Sequence, residues 1–414
     1  MNIFIGCIEI CGMINTYARA LRALGHSVTT CSYSKNKYYP TEKYDIEYDF
    51  WLDYLLGRKT DFPPGEPLTF MDKVVLKLRN ETGLFEKKIE RDFIDPFDVF
   101  IFIWAGQTLM AKSKDLSIIS GKGKKIISVL VGSDVRYASA FQQEFSIDTK
   151  EWPVHYRESY SHYNHILRNV EKYSDIILSV PDQMGLAIRP YDHFHLPIDL
   201  KRLQFQVHDR DVPIIVHAPS APAIKGTDII LNTLQRLKDD GLNFKLVHIQ
   251  NMSNAKLLEL LKDADILVDE LILHGPGVLS LEAMGSGCAV ATRFLESSPS
   301  CFRPPIVSID ANNIYERVKE LIVNKHLRKE LAIAGRKYVE ENNDANKIAI
   351  ELINKLDEKA GPHSYDYTPR FFLDKFIPEG PLTITDKAYN EQILRQWIEH
   401  AGQSIPSLKE RGLI

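Results

Sequence analysis

The sequence predicts an α/β protein of two Rossmann-like, doubly wound domains that face each other across a cleft. The chain begins with a β-α-β unit, which is typical of a parallel sheet with a right-handed crossover. More apolar runs of buried-strand type follow, and a second series of strands alternating with helices begins after about residue 200. The length of 414 residues also favours two or three domains, each able to bury its own core.

The first series of elements occupies about residues 1–200. The run NIFIG predicts a strand, helical spacing predicts a helix that Gly25 ends, and HSVTTCSY predicts the second strand. DVFIFIW, KKIISVLVG and SDIILSV predict three more buried strands. Between about residues 35 and 96 the pattern lapses, which indicates an insertion with a helix over MDKVVLKLRNETGLFEKKIERDFI. The basic residues of that helix favour a solvated face over the alternative, contact with a membrane surface.

The second series is assigned residues 201–358, because Pro197 and a polar run separate it from the first. VPIIVHAP, FKLVHIQ, ADILVDEL and CAVAT predict strands, and helical stretches lie between them and continue to about residue 356. Residues 359–414 are aromatic and proline-rich. They are too apolar for a simple disordered tail, so we expect them to pack across the domains or between subunits.

Composition and charge exclude several classes of function. Lys plus Arg (51) nearly balance Asp plus Glu (55), so nucleic acid is not an expected partner and any anion site must be local. The five scattered cysteines have no second Cys or His pair at zinc-like spacing, so we expect reduced thiols and no metal site. The chain shows no basic leader and no apolar run long enough to span a bilayer, which predicts a cytoplasmic protein.

The stretch HGPGVLSLEAMGSG (His274–Gly287) is the strongest candidate site. It follows a predicted strand, at the sheet edge where open α/β sheets bind ligands. Its glycines permit close backbone approach and the first helical N–H groups lack intrahelical partners, so the turn predicts a phosphate site. Glu282 lies further along this apolar helix, where its carboxylate needs partners. Two sugar hydroxyls would satisfy it, and nearby backbone groups are the alternative.

Three other strand ends carry candidate residues. Lys225, Gly226 and Thr227 are predicted to open a helix. A lysine there opposes the helix dipole and predicts an anionic partner such as a diphosphate, with a solvent-exposed lysine as the alternative. Gly12 is predicted at the start of the first helix, facing the cleft, without the glycine spacing of a dinucleotide fingerprint. Asp134 and Arg136, in GSDVRY, are candidates either for acceptor contacts or for interdomain structure.

Taken in order, these segments resemble the GT-B glycosyltransferases, and among them the retaining nucleotide-sugar transferases of glycosyltransferase family 4. The resemblance covers most of the chain to about residue 356 and is strongest over Pro213–Val290. It rests on Lys225-Gly226, Gly275, Gly277, Glu282-Ala283-Met284 and Gly287, and on the earlier segments ARALRALGHSV and GSDVRY.

The resemblance implies a nucleoside diphosphate sugar donor, an unidentified acceptor, no cofactor and no obligatory metal, in surface-glycan or glycoconjugate assembly. By that resemblance Lys225 would hold the donor diphosphate, Glu282 the ribose hydroxyls, and the turn Gly275–Val278 the phosphates or sugar. The loop around Gln250 to Ser253 would lie near the base, and Gly12 near the transferred sugar. The implied catalytic residues are His274, Glu282 and Lys225. The implied donor-binding residues are Gly12, Ser220, Lys225, Gly226, Gln250, Met252, Gly275, Gly277, Val278 and Glu282.

Two positions depart from the family pattern. His274 replaces the first of two glutamates eight residues apart, and Val131 stands where family members often have histidine. A neutral imidazole offers one donor and one acceptor and titrates near pH 6.5 when unperturbed, so His274 is expected to influence sugar selection in that pH region. A GT-B nucleotide-sugar epimerase and a catalytically silent nucleotide-sugar-binding protein are the alternatives. A Rossmann dehydrogenase is least favoured, because the glycine fingerprint is missing.

Overall fold

The computed structural model describes residues 1–33, 36–47, 84–104, 106, 108–110, 113–132, 134–146, 160–357 and 388. In this part of the chain, two parallel sheets form the centres of two α/β domains, and the predicted fold class is confirmed. The predicted extension 359–414 lies outside the described residues except for Ala388, and so do residues 48–83 of the predicted insertion.

The first domain is built on a seven-stranded parallel sheet of order β3-β2-β1-β4-β5-β6-β7. Its strands are β1 (Asn2–Cys7), β2 (Ser27–Ser32), β3 (Ile46–Glu47), β4 (Val99–Ile103), β5 (Lys125–Leu130), β6 (Ile176–Ser179) and β7 (Asp192–His193). The chain runs outward through β2 and β3 and then returns to β4 on the other side of β1. This reversal of strand order makes the carboxyl ends of β1 and β4 a switch point, where such sheets bind ligands.

Alternating side chains divide the core of the first domain into two layers. In β4, Phe100 and Phe102 pack on one face of the sheet, and Ile101 and Ile103 pack on the other. Successive side chains of a strand point to opposite faces, and here both faces are covered by helices. The continuous apolar run in the sequence is therefore the direct result of burial on both sides.

Among the described residues, the α-helices that precede the second domain are α1 (Met13–Ala23), α2 (Leu84–Ile89), α3 (Lys114–Gly121), α4 (Ala138–Phe145) and α5 (Tyr160–Tyr173). Helix α2 continues as a π-helical turn over Glu90–Ile94, the described end of the helix predicted within the insertion. Ile89, Phe93 and Ile94 are buried in the core on the phenylalanine side of the sheet. The apolar face of this described segment is thus occupied by the protein itself, consistent with a solvated basic face.

The second domain is built on a five-stranded parallel sheet of order β12-β11-β10-β8-β9. Its strands are β8 (Ile214–His217), β9 (Lys245–His248), β10 (Ile266–Val268), β11 (Ala289–Thr292) and β12 (Val307–Ser308). Its helices are α6 (Pro222–Lys225), α7 (Thr227–Asp239), α8 (Asn254–Asp263), α9 (Val278–Ser286), α10 (Ile314–Val323) and α11 (Lys325–Asn342). Strand order reverses between β8 and β10, so this sheet has a switch point of its own.

The last described helix, α12 (Ala345–Asp357), returns to the first domain. Ile348, Ala349 and Leu352 are buried in the first domain's core, against α1. The chain crosses between the domains where the amide of Ala345 donates to the carbonyl of Ile198 at 3.1 Å. The sequence-based boundary assigned residues 201–358 to the second domain, and this assignment was wrong for α12. The amphipathic pattern of a helix shows which of its faces is buried but not which sheet it covers.

Candidate functional site

A cavity of about 480 Å³ lies between the two domains. The first domain lines it with the segments that follow β1, β4, β5 and β6, and the second with those that follow β8, β9 and β10. Residues at both switch points therefore face the same space. This is where the topology of two facing parallel sheets is expected to bind a ligand.

Helix α9 begins at this cavity without a side-chain cap and without an acidic residue in its first turn. His274, Gly275, Gly277 and Val278 all line the cavity. The turn is fixed to the end of β11, because the Gly275 amide donates to the Arg293 carbonyl at 2.7 Å. A Cβ on Gly275 would lie 2.6 Å from the Thr292 hydroxyl, so this close approach needs glycine. The uncapped N–H groups of the helix make the turn suited to an anion.

Glu282 is buried within α9 and lines the cavity. Its carboxylate accepts hydrogen bonds from Asn254 Nδ2 at 2.9 and 3.0 Å. Burial raises the pKa of Glu282 to about 7, against the opposing effects of Asn254 and Arg202. The partner of the Glu282 carboxylate, which the sequence left undecided, is thus a side-chain amide. Because a single Asn254 nitrogen donates to both carboxylate oxygens, each oxygen can still accept a hydrogen bond from a hydroxyl group.

Asn254 connects Glu282 to the first domain. Its Oδ1 accepts a hydrogen bond from Arg202 at 2.9 Å, and its backbone amide donates to the Tyr38 carbonyl at 2.7 Å. Sequence reasoning missed Asn254, although its place at the start of a predicted helix after a strand was visible. Asn254 therefore bonds to the Glu282 carboxylate, to the Arg202 guanidinium and to the backbone of the first domain. These bonds hold Glu282 in place at the cavity.

Lys225 lines the cavity, but its local setting differs from the predicted one. It ends the short helix α6 rather than opening a helix, and Gly226, with φ +72°, separates it from α7. Its ammonium pairs with Asp269 at 2.8 Å and with Glu270. Burial would lower the pKa of Lys225, but the two carboxylates outweigh burial and raise it. The helix-dipole argument for an anionic partner was therefore wrong, since a lysine in the last turn is favourable and its described partners are protein carboxylates.

Asp269 and Glu270 follow β10 and were missed by sequence reasoning. Asp269 accepts a hydrogen bond from the Ser280 hydroxyl at 2.7 Å, so both of its oxygens are engaged. Burial raises the pKa of the Glu270 carboxyl, Lys225 lowers it and Asp269 raises it. With both carboxylates ionised, the group around Lys225 is net negative. A bound diphosphate would favour the protonated form of Glu270.

His274 lies in the wall of the cavity with only 6% of its side chain exposed. Its ring meets Phe145 edge-on with ring centroids 4.8 Å apart, and its Nδ1 lies 3.8 Å from the Asp182 carboxylate, too far for a hydrogen bond. Burial, together with the positive charges of Arg293 and Arg136, lowers the pKa of His274 to about 4. The imidazole is therefore neutral at pH 6.5, and the pH dependence expected there from an unperturbed histidine was wrong.

The acceptor-side candidates have different positions. Arg136 lines the cavity, with its nearest carboxylate oxygen on Asp182 at 3.7 Å. Asp134 is not among the residues that line the cavity. Its Oδ1 accepts a hydrogen bond from the Gly132 amide at 2.9 Å, which stabilises the loop after β5. Burial raises the pKa of Asp134 to about 6. Among the described residues, Arg136 Nε, Asp182 Oδ2 and His274 Nδ1 are buried without hydrogen-bond partners. These three polar atoms lie on residues that line the cavity.

The other predicted donor residues are divided between the cavity and its surroundings. Ser220 and Met252 line the cavity together with Val131, whereas Gln250 does not and its neighbours Ile249 and Asn251 do. Gly226 packs on Leu271 and Ile272 rather than lining the cavity. Gly12 caps α1 with φ +76° beneath the ring of Tyr39, and its neighbour Cys11 lines the cavity instead.

Within the described residues, no group of three or more His, Cys, Asp or Glu side chains is arranged to hold a metal ion. Among the helices described, none combines the length and the apolar character needed to cross a bilayer.

The fold matches those of solved structures at low sequence identity. A sucrose-phosphate synthase from Thermosynechococcus elongatus is 11% identical, with 86% of this chain and 99% of that chain covered and a TM-score of 0.55. WaaG, a glycosyltransferase involved in lipopolysaccharide biosynthesis, is 13% identical over 87% of this chain and 100% of its own, with a TM-score of 0.54. An alpha-glucosyltransferase in complex with UDP and a 13-mer DNA is 12% identical over 86% and 100%, with a TM-score of 0.52.

The chain has the GT-B fold. No protein-family model and no curated protein matches the sequence, so the assignment rests on the three-dimensional likeness. The structural likeness shows the GT-B arrangement of two Rossmann-like domains. At identities this low it shows the fold alone, since one fold supports many activities.

The GT-B cleft also contains residues that sequence reasoning placed outside the site. Asn36, Tyr38 and Tyr39 line the cavity, although they lie in the stretch interpreted as an insertion. Nothing in their local sequence pattern marks them, because their position depends on how the first domain faces the second. Asp182 and Glu270 could have been found, because each lies just after a predicted strand, at the same sheet edge as the chosen candidates.

Proposed function

We propose that this GT-B chain is a glycosyltransferase that moves a sugar from a nucleoside diphosphate donor to an acceptor bound on the first domain. The observation that carries the proposal is the convergence of Lys225, Glu282 and the uncapped start of α9 on one interdomain cavity. They supply a cation, an acceptor for hydroxyl groups and free backbone N–H groups, which match the diphosphate and ribose of such a donor.

Stabilisation of the leaving diphosphate is the main chemical task of this site. As the glycosidic bond breaks, negative charge grows on the diphosphate while the sugar gains oxocarbenium character. The N–H groups at the start of α9 face the cavity without a side-chain cap and can stabilise that charge as they stand. The ammonium of Lys225 lines the same cavity, and protonation of Glu270 would release part of its positive charge for the diphosphate. We propose that this occurs without an obligatory metal, with Glu270 taking up a proton as the diphosphate binds.

The transferred sugar is proposed to lie near His274. The buried, neutral imidazole has an unpartnered Nδ1 beside the unpartnered Oδ2 of Asp182, so both atoms can accept hydrogen bonds from sugar hydroxyls. Arg136, across the same space, can donate to the sugar or to the acceptor. Retention at the anomeric carbon is part of the proposal by resemblance to glycosyltransferase family 4.

A donor screen followed by a turnover assay tests the proposal. Uridine, guanosine and adenosine diphosphate sugars are added separately, and a ligand that binds only the folded chain raises its melting temperature. Release of nucleoside diphosphate is then measured with candidate acceptors, with and without a chelator, and NMR of the product gives the anomeric configuration. We expect binding of at least one nucleotide sugar and acceptor-dependent release that survives chelation.

Other outcomes would support the alternatives. Conversion of the donor sugar to an isomer without acceptor indicates an epimerase. Tight donor binding with neither transfer nor hydrolysis across the acceptors indicates a catalytically silent binding protein. If none of the tested nucleotide sugars binds, the proposal itself is contradicted.

A further inference from the structure

A short turn of the first domain, residues Asn36–Tyr39, contacts the second domain directly at the loop predicted to lie near the nucleotide base. Lys37 Nζ donates to Asn251 Oδ1 at 2.8 Å, and the Tyr38 carbonyl accepts the Asn254 amide at 2.7 Å. The Tyr38 hydroxyl donates to the Ser220 carbonyl at 3.2 Å. Three hydrogen bonds thus join this one turn to the ends of β8 and β9 and the start of α8.

The ring of Tyr38 has a defined orientation at the edge of the cavity. Its hydroxyl is held by Ser220, and Lys37 Nζ lies over the ring, 4.9 Å from its centroid. Lys37 lies over one face of the ring, and Tyr38 lines the cavity together with Ile249 and Met252. A planar, half-buried ring in a cavity with apolar side chains is suited to stack on a flat aromatic group.

The same turn is connected to the carboxylate proposed to bind ribose. The Asn254 backbone amide donates to the Tyr38 carbonyl, and the Asn254 side-chain amide donates to Glu282. A second connection runs through Glu42, which accepts a hydrogen bond from Asn15 at 2.6 Å and lies 3.8 Å from Arg202, the residue that bonds to Asn254. The nucleoside side of the cavity is thus assembled from both domains.

We propose that the Asn36–Tyr39 turn is a wall of the nucleoside subsite and that the Tyr38 ring stacks on the base of the bound nucleotide. The inference rests on the proposed function, since it assumes a nucleotide ligand, and it adds a base-binding residue from the opposite domain. Its consequence is that nucleotide binding is strongest when the two domains are in contact at this turn.

Isothermal titration of the full-length chain with UDP, GDP and ADP tests the inference. The variants are Tyr38→Ala, which removes the ring, and Tyr38→Phe, which keeps the ring and removes only the bond to Ser220. Tyr315→Ala is the matched control, because Tyr315 bonds to Asp240 and does not line the cavity. Melting temperatures without ligand are compared first, and Tyr38→Leu replaces Tyr38→Ala if the latter is unfolded.

Stacking of a base on an aromatic ring predicts that Tyr38→Ala weakens binding of the preferred nucleotide about 5- to 150-fold. Tyr38→Phe should lose much less nucleotide affinity than Tyr38→Ala, and Tyr315→Ala should bind the nucleotide as tightly as the parent. Equal or tighter binding by Tyr38→Ala overturns the inference and leaves the proposed function standing, because the parent still binds nucleotide. Equal losses for Tyr38→Phe and Tyr38→Ala overturn the stacking role. If the parent binds none of the three nucleotides, both proposals are overturned.

Discussion

Replacement of Lys225 by methionine tests the charge arrangement at the proposed diphosphate site. The substitution keeps an unbranched side chain of similar length and removes the ammonium that pairs with Asp269 and Glu270. We expect two separable effects, a loss of stability in the second domain and a loss of affinity for nucleoside diphosphate that exceeds the loss for the free nucleoside.

The size of the stability loss follows from burial. The side chains of Asp269 and Glu270 are 1% and 11% exposed, so without Lys225 they become buried carboxylates that have lost the cation in direct contact with them. Removing one partner of a buried ion pair costs about 3–5 kcal/mol. For a domain of this size that corresponds to a fall in melting temperature on the order of 6–20 °C.

The stability loss should also depend on pH. The pKa of Glu270 is already raised above 4.5, and loss of the neighbouring cation raises it further. A carboxyl group whose folded pKa lies above its unfolded pKa contributes stability that is present at low pH and lost as pH rises through the folded pKa. The difference between parent and Lys225→Met should therefore be smallest near pH 5 and widen toward pH 8.

Thermal unfolding across that pH range, with titration of nucleoside and nucleoside diphosphate, measures both effects. Lys325→Met is the matched control, since Lys325 also pairs with two carboxylates, Asp211 at 2.8 Å and Asp209 at 3.1 Å, but on the surface, where water screens them. Adding Glu270→Gln to Lys225→Met should recover part of the stability. An unchanged melting temperature, or equal losses for nucleoside and diphosphate, would refute the reasoning.

Two further substitutions test the ribose and sugar contacts. Glu282→Gln turns an amide NH₂ toward the NH₂ of Asn254, so we expect an intact fold with nucleotide affinity reduced about 5- to 150-fold, the equivalent of one unsatisfied buried group. Because the pKa of Glu282 is about 7, parent affinity for the free nucleoside, whose binding involves no proton uptake by Glu270, should rise from pH 6 to pH 8, and a variant with the same pH profile and affinity would exclude the ribose role. His274→Ala should lower turnover while nucleoside diphosphate binding is kept, and His274→Glu should change the preferred donor sugar, both measured as turnover over several donors. Since the pKa of His274 is about 4, its contribution should be constant from pH 6 to pH 8, and parent-level transfer by His274→Ala would reduce this residue to a structural role.

Local sequence patterns predicted the long strands of both sheets and the strand ends that form the site. Runs such as DVFIFIW identify doubly buried strands because burial on both faces of a parallel sheet leaves no polar position to interrupt them. The turn at Gly275 and the carboxylate of Glu282 were also accessible from sequence, because local glycine spacing and a lone acid in an apolar helix have local physical causes. The residues lie on elements whose order along the chain already indicates which edge of the sheet they occupy.

Only the tertiary structure decided how those residues are paired. The partners of Lys225, 44 and 45 positions away at Asp269 and Glu270, depend on which strands become neighbours at the switch point. The protonation of His274 depends on burial against Phe145 and on two arginines from different domains. The place of Tyr38 at the base loop and of α12 on the first sheet depends on how one domain faces the other. Burial and pairing energies are sums over neighbours distant in sequence, so no local pattern contains them.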